Sequence, residues 1–185
     1  FLKTQASQLM TKPDLDLLMD VCRNAFTSLA NAQSGLYFAG NTSPSYPQAI
    51  NGAMKVLTAL DWLEEPVHYP KQLIDSCLSR LPSPEGCHLV DAVYVLYRCL
   101  QYTDHRKQEI QAYCGQILEM IQKHHNADGG FSYSIGRSQV SYYGATISMG
   151  LHESDIHGTI LLTWALAMIL EIQENNFLHW KVIRP

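Results

Sequence analysis

The sequence has few charged residues for its length. Only 16% of its 185 residues are charged, against about 25% in an average globular protein, while 46% are hydrophobic. The net charge is −4, and the basic residues are scattered apart from the pair Arg106-Lys107. We therefore expect a large buried interior or an apolar face for a ligand or partner, and no binding to nucleic acid.

The chain also lacks the features of a disulfide-bonded or membrane-spanning protein. Its five cysteines are odd in number and include no C-x-x-C pair, so we expect a reducing, cytoplasmic location. The most apolar run, residues 160–170, would extend only about 16 Å as a helix, whereas a bilayer core is about 30 Å thick. This run predicts a buried helix in a protein that is not transmembrane.

Strand-like alternation of useful length is missing, and helical periodicity dominates the sequence. Three segments carry one apolar stripe and one polar face: residues 15–29, 73–81 and 110–121. Three others are apolar on nearly all sides: residues 49–63, 89–100 and 160–170. A helix that is apolar nearly all round must be covered nearly all round. The sequence therefore predicts an all-α fold in which outer and inner helices alternate.

This order of segments predicts three αα-hairpins in a single domain that spans residues 1–185. The hairpins are expected at about 14–65, 70–102 and 105–175. Pro47 and Pro70 suit first turns of helices, where the missing N–H costs nothing. Ser154 or Asp155 can cap the last helix.

The first and third hairpins resemble each other in sequence. Residues 50–53 (INGA) correspond to residues 156–159 (IHGT). A glycine-aromatic loop precedes each of them, at residues 33–38 (QSGLYF) and 128–131 (DGGF). The middle hairpin has only Gly86 at its loop, so we expect two clear copies of a repeat and one degenerate copy.

The third loop carries a family resemblance. Residues 128–131 (DGGF), followed by Gly136-Arg137, resemble the repeat loops of protein-prenyltransferase β subunits, which read GGF, four residues, glycine and a basic residue. The outer-loop-inner frame is similar to the wider α/α toroid superfamily, which includes squalene and hopene cyclases. The likeness is good over residues 126–172, fair over 29–65 and thin over 85–102. It implies parallel inner helices around a deep apolar cavity that holds an isoprenoid-like ligand.

Three hairpins would form only half of such a ring. The resemblance therefore implies that something closes the open apolar side. We expect a longer parent chain, a second copy in a homo-oligomer or a further subunit to do so. The alternative is a self-sufficient six-helix bundle.

The resemblance also implies a zinc site. Prenyltransferase β subunits bind catalytic zinc through Asp-x-Cys at the start of one inner helix and a histidine at a later one. Here Glu85-Gly86-Cys87 stands at the start of the second inner helix and His157 near the start of the third. Glu85, Cys87 and His157 are therefore candidate zinc ligands, although glutamate replaces the family's aspartate. Alternatively, Cys87 is a buried small hydrophobe and His157 a capped or solvated side chain.

The acidic motifs of terpenoid cyclases are absent. Residues 14–17 (DLDL) are the nearest match to D-x-D-D and fail at the fourth position, and D-D-x-x-D does not occur. We therefore do not expect a complete cyclase active site within this chain.

The densest polar cluster is the long loop of residues 137–157. The candidate catalytic groups are Glu153, Asp155 and His157. The candidate ligand contacts are Phe131, Arg137, Tyr142, Tyr143 and His152. In the alternative interpretation, Glu153 and Asp155 only complement the dipole of the following helix, and the tyrosines pack under the loop.

Three functional hypotheses follow. The first is a domain similar to terpenoid cyclases and prenyltransferases that binds an apolar or isoprenoid-like ligand in its concave helical cavity. The second is a non-catalytic interaction module that closes a toroid with another subunit. The third is a glycan-active α/α toroid that uses Glu153 and Asp155 as paired carboxylates. In each case we expect the site where the Phe131 loop meets the helix that begins near His157.

Overall fold

A computed structural model describes residues 4–40, 42 and 44–184. Over these residues the chain is mostly helical, which confirms the all-α prediction. The six helices are α1 (Lys12–Leu29), α2 (Tyr46–Leu63), α3 (Pro70–Leu78), α4 (Gly86–Leu100), α5 (Lys107–Gln122) and α6 (Ile156–Ile172). Two short antiparallel strands, β1 (Ser141–Tyr142) and β2 (Ala145–Thr146), form a small hairpin between α5 and α6. The sequence pattern did not predict these strands, since each has only two residues.

Helix starts follow the local sequence signals. Pro47 and Pro70 both lie in first turns, as predicted. Ser45 and Gln48 form a capping box at the start of α2, and the Thr11 hydroxyl accepts a hydrogen bond from the Asp14 N–H at the start of α1 (3.4 Å).

The end of α3 differs from the sequence prediction. The apolar stripe predicts a helix as far as Leu81, but α3 ends at Leu78. The Tyr46 hydroxyl lies 2.7 Å from the Cys77 carbonyl oxygen and 2.8 Å from that of Arg80, and the Tyr113 hydroxyl donates to the Arg80 carbonyl oxygen (3.0 Å). These carbonyl groups therefore find partners outside the helix, which offsets the loss of further helical hydrogen bonds.

Helix α4 is the centre of the fold. It packs against α2, α3, α5 and α6, and eleven of its fifteen residues are buried. Residues 89–96 are all buried, and eight consecutive residues cover every side of a helix with 3.6 residues per turn. This helix therefore needs neighbours on every side, as its apolar sequence predicts.

Two polar contacts join α2 to α4 and show that these helices run parallel. Near their starts, the Asn51 side-chain N–H donates to Asp91 Oδ2 (2.8 Å). Near their ends, Arg98 Nη1 lies 3.1 Å from Asp61 Oδ1. Because the contacts come in the same order along both helices, the two N-termini are at the same end of the molecule.

The same argument applies to α4 and α6. The rings of Tyr94 and Trp164 lie 5.1 Å apart, measured between their centroids. Further along both helices, the Tyr97 hydroxyl donates to Glu171 Oε2 (2.8 Å). The three helices that the sequence predicts as inner helices are therefore mutually parallel.

The two glycine-aromatic loops share a pattern of backbone hydrogen bonds, although the first loop is one residue longer. In each loop, the main-chain N–H of an asparagine donates to a carbonyl oxygen on the far side of the loop. The main-chain N–H of the residue that follows the aromatic residue donates to a carbonyl oxygen at the end of the preceding helix. The bonds are Asn31 to Leu36 (2.9 Å) and Phe38 to Leu29 (3.0 Å) in the first loop, and Asn126 to Gly130 (3.0 Å) and Ser132 to His124 (2.9 Å) in the third. The sequence repeat is therefore visible as a repeat of hydrogen bonds.

Helices α1 and α6 keep exposed apolar surface. Helix α1 has no fully buried residue, and its apolar stripe is only half-buried against α2. On α6, Ile156 and Ile160 are 80% and 62% exposed. Although α6 is apolar on nearly all sides, none of the helices in the described part of the chain is long and apolar enough to cross a membrane.

The central position of α4 gives a first test. Leu96 is fully buried, so Leu96→Ala should lower the free energy of unfolding by about 2–5 kcal/mol, through lost burial and a residual cavity. Leu17→Ala, on the exposed face of α1, should change it by no more than about 0.5 kcal/mol. Chemical denaturation of both variants measures the difference. Equal losses would contradict the assignment of α4 as the core helix.

Candidate functional site

Asp155 holds the polar loop against the start of α6. Its Oδ1 atom accepts a hydrogen bond from the Gly158 N–H (2.6 Å), which caps the helix. Its Oδ2 atom accepts from the N–H groups of Tyr133 (2.8 Å) and Gln139 (3.0 Å). Three backbone donors therefore surround this carboxylate, which is the arrangement of a cap and a loop anchor.

A second carboxylate fixes the DGGF loop to the same helix start. Asp128 Oδ1 accepts from the Ser154 hydroxyl (2.5 Å), and Oδ2 accepts from the Ser154 N–H (2.9 Å). These two donors hold the pKa of Asp128 below its ordinary value. Asp128 was recognised in the sequence only as part of the loop motif.

A glycine at the third position of IHGT is required by close packing. A Cβ atom at Gly158 would lie 2.4 Å from the Tyr133 nitrogen, closer than any side chain can approach. On its other side, the Tyr133 carbonyl oxygen accepts from the Gly86 N–H (3.0 Å). The backbone of Tyr133 therefore joins the N-terminal ends of α4 and α6.

His157 is enclosed by two aromatic rings. The Tyr133 ring stacks on it at 5.1 Å with an interplanar angle of 13°, and the Tyr142 ring meets it edge-on at 4.9 Å. His157 Nδ1 lies 2.6 Å from Gln139 Oε1. Burial lowers the pKa of His157, so the ring is neutral at pH 7. With the amide oxygen facing Nδ1, that nitrogen carries the proton and Nε2 is left as an acceptor.

The three candidate zinc ligands are not grouped together in the structure. Burial raises the pKa of the Cys87 thiol, which lies close enough to the Tyr133 side chain for the two to influence each other's pKa, whereas a zinc ligand must be a thiolate. Glu85 faces His88 instead, with Oε2 3.6 Å from the His88 Nδ1 atom. Across the described residues, no three His, Cys, Asp or Glu side chains are grouped so that they could hold a metal ion. Tyr133, which contacts both Cys87 and His157, occupies the place where the ligands were expected to meet.

The other candidate ligand contacts are dispersed. Tyr142 joins the His157 cluster, but Tyr143 is 94% exposed at the tip of the β1–β2 hairpin. Phe131 packs against the His125 ring at 5.5 Å between centroids and against the core. Arg137 and His152 lie at the surface, and Glu153 accepts one long hydrogen bond, from Ser138.

The structure therefore unites only Tyr142 and His157 of the predicted groups. Of two further members of this cluster, Gln139 belongs to the predicted polar loop but was not among the candidate site residues, and Tyr133 was not predicted. Their signal in the sequence was weak, because an aromatic residue just after a DGGF loop and a glutamine in a polar loop are both common.

A second region combines α6 with the end of the chain. After α6 the chain turns back, and residues 176–184, here called the C-terminal segment, pass over its exposed face. The Trp164 Nε1–H donates to the Ile183 carbonyl oxygen (3.2 Å). Arg184 Nε lies 3.4 Å from Asp61 Oδ2, and its guanidinium lies 5.7 Å from the centre of the Trp62 ring. The C-terminal segment therefore reaches from α6 to the end of α2.

An open cavity of about 810 Å³ lies between α6, α2 and the C-terminal segment. We call it the apolar groove. Its main lining residues are Met54, Ile160, Leu161, Trp164, Trp180 and Ile183. No sequence pattern pointed to the C-terminal contribution, because residues 176–184 carry no helical or strand periodicity.

Comparison of the chain with protein-family profiles, curated proteins and solved structures gives no match. Function is therefore inferred from the contacts and cavities described above.

The role of Asp155 can be tested by stability. Asp155→Asn should lower the free energy of unfolding by about 2–4 kcal/mol, because an amide cannot accept from all three backbone donors. Glu153→Gln, which affects a single 3.3 Å hydrogen bond, should change it by no more than about 0.5 kcal/mol. Denaturant unfolding at neutral pH compares the two. A silent Asp155→Asn variant would contradict the anchoring role.

The buried imidazole predicts a pH dependence. Because the pKa of His157 is lowered in the folded protein, the unfolded chain takes up the proton first as the pH falls below about 6.5. The stability of the wild type relative to His157→Gln should therefore decrease between about pH 7 and about pH 5.

The exposed His152 offers the matched control, since His152→Gln should not remove this acid-dependent loss. Urea unfolding across this pH range measures the differences. A wild type that gains stability relative to His157→Gln on acidification would contradict the assignment of a neutral His157.

Proposed function

We propose that the protein is a ligand-binding domain that holds an elongated apolar molecule, such as an isoprenoid, in the apolar groove. The observation that carries this proposal is the groove itself, with its volume of about 810 Å³ and its aliphatic and aromatic lining. Sites for small molecules commonly have volumes of about 300–1,000 Å³ and are lined mainly by such side chains.

The helix arrangement supports the same proposal. The parallel α2, α4 and α6, each preceded in the chain by a more exposed helix, are compatible with the inner helices that half an α/α toroid would have. In such a half-ring the concave face would be apolar and open, and the exposed Ile156 and Ile160 of α6 fit that face. Exposed apolar surface of this kind commonly marks a binding site.

Binding of a ligand in the apolar groove is better supported than catalysis by the side chains of the polar loop. Both oxygens of Asp155 accept backbone hydrogen bonds, so this carboxylate is already used in holding the fold. A glycan-active site would require Asp155 and Glu153 to face a shared cleft as free acid and base. The capping geometry of Asp155 favours the alternative interpretation, in which Glu153 and Asp155 stabilise the start of α6 and do not act as catalytic groups.

The exposed apolar face also suits the second hypothesis, in which another subunit completes the ring. Ile156 extends the apolar surface of α6 beyond the lining of the groove. A partner on this face would cover both Ile156 and Ile160, whereas a small ligand in the groove would cover Ile160 alone. Substitutions at Ile156 and Ile160 therefore distinguish a small ligand in the groove from a partner subunit on this face.

Tryptophan fluorescence gives a direct measurement. All three tryptophans of the chain are near the groove: Trp164 and Trp180 line it, and Trp62 lies under Arg184. Titration with farnesol, an isoprenoid alcohol, should change this fluorescence and saturate. Ile160→Glu should weaken binding by about tenfold or more, because it places a charge against the apolar ligand.

Ile156→Glu is the matched control, since it places the same substitution one turn away on an exposed position outside the groove. It should bind farnesol as the wild type does. Failure of the wild type to bind would reject the proposal. A dimer that both substitutions dissociate would instead identify the face as a subunit interface.

A further inference from the structure

A small polar cavity adjoins the apolar groove near the C-terminal ends of α2 and α4. Its volume is about 210 Å³. We call it the polar cavity, and it is lined by Asp61, Tyr94, Tyr97, Arg98, Gln101 and residues 182–184. Three of these side chains are ionic, in a part of the molecule where the surrounding core is apolar.

Arg98 is incompletely satisfied in this cavity. The residue is only 7% exposed. Its Nη1 group contacts Asp61 Oδ1 (3.1 Å) and donates to Gln101 Oε1 (2.5 Å). Its Nε–H has no acceptor among the described residues. A buried donor without a partner is destabilising, and more so when the group is charged, so the missing acceptor is significant.

Tyr94 provides a second donor without a partner. It is 2% exposed, and no acceptor in the described part of the chain meets its hydroxyl in hydrogen-bonding geometry. Thr58 is close enough to affect the Tyr94 pKa, but its hydroxyl does not meet the Tyr94 hydroxyl in hydrogen-bonding geometry. Two buried donors that line one cavity therefore lack an acceptor.

The charges in the cavity favour a single anion. The guanidinium groups of Arg98 and Arg184 both contact the carboxylate of Asp61, so among the described side chains that line the cavity two positive charges face one negative charge. Lys181 adds a further cation in the adjoining groove. A monoanion such as a carboxylate would balance the pair of arginines, whereas a dianionic phosphate would also need the charge of Lys181.

The polar cavity and the apolar groove are continuous. Ile183 and Arg184 line both of them. The Tyr94 ring of the cavity also contacts the Trp164 ring of the groove, at 5.1 Å between centroids. A molecule with one polar end could therefore occupy both spaces at once.

We propose that the polar cavity binds the carboxylate of a long-chain fatty acid whose hydrocarbon chain lies in the apolar groove. The Arg98 Nε–H and the Tyr94 hydroxyl donate to the carboxylate, and Arg184 closes over it. This inference rests on the proposed function, because it names the ligand class for the same groove.

The test compares palmitate with hexadecanol, which has the same chain length and no charge. Tryptophan fluorescence at about pH 8, below the micelle concentration, should show that the wild type binds the acid about tenfold or more tightly than the alcohol. Tyr94→Phe and Arg184→Gln should each reduce this ratio severalfold and leave hexadecanol affinity unchanged.

Tyr97→Phe is the matched control. The Tyr97 hydroxyl also belongs to a cavity-lining residue, but it already donates to Glu171, so its removal should leave the acid-to-alcohol ratio unchanged. Tyr94→Phe removes a hydroxyl that has no partner, and its thermal unfolding should match the wild type. Loss of binding in that variant is then not attributable to unfolding.

The outcomes are distinguishable. Equal affinity for acid and alcohol, with no effect of Tyr94→Phe or Arg184→Gln, would overturn the head-group assignment and leave the groove proposal intact. Tighter binding of hexadecyl phosphate than of palmitate would overturn the carboxylate assignment. Binding of none of these probes, nor of farnesol, would reject the groove proposal itself.

Discussion

The burial of α4 is the constraint on which the rest of the structure depends. A helix with apolar residues on every side is stable in water only when other helices cover it. Four helices do so here. The two polar residues that α4 nevertheless buries, Asp91 and Arg98, then require partners, and α2 supplies Asn51 and Asp61. These two contacts fix the direction and register of α2 against α4.

The same constraint produces the two cavities. Because α2 and α6 both pack on α4, an open apolar space remains alongside α6, and the C-terminal segment crosses it. Arg98 is buried at the edge of this space with one donor unpaired. The apolar groove and the polar cavity therefore lie side by side because of the way in which α2 and α6 cover α4. The polar loop at the other end of α4 and α6 has a different role, since Asp155 and Tyr133 tie the helix starts together there.

Much of the fold was predictable because its signals are local. Proline in first turns, apolar periodicity and the glycine-aromatic loops each depend on a few neighbouring residues. The site was less predictable. Asp155 has the same place in the sequence whether it acts as a catalytic carboxylate or as a cap, and the approach of the Tyr133 and Gln139 backbones decides between them. Likewise, the spacing of Glu85 and Cys87 could not reveal that Tyr133 lies against the thiol.

The sequence by itself determined that the chain is helical, where most helices begin, and that its first and third loops are copies. These properties follow from backbone preferences and from the periodicity of burial, which act over short distances. Only the tertiary structure decided where charge and apolar surface meet. Asp61, Arg98 and Arg184 are far apart in the chain, and no local pattern relates them. They come together because α2 and α4 pack in parallel and because the last residues return across α6.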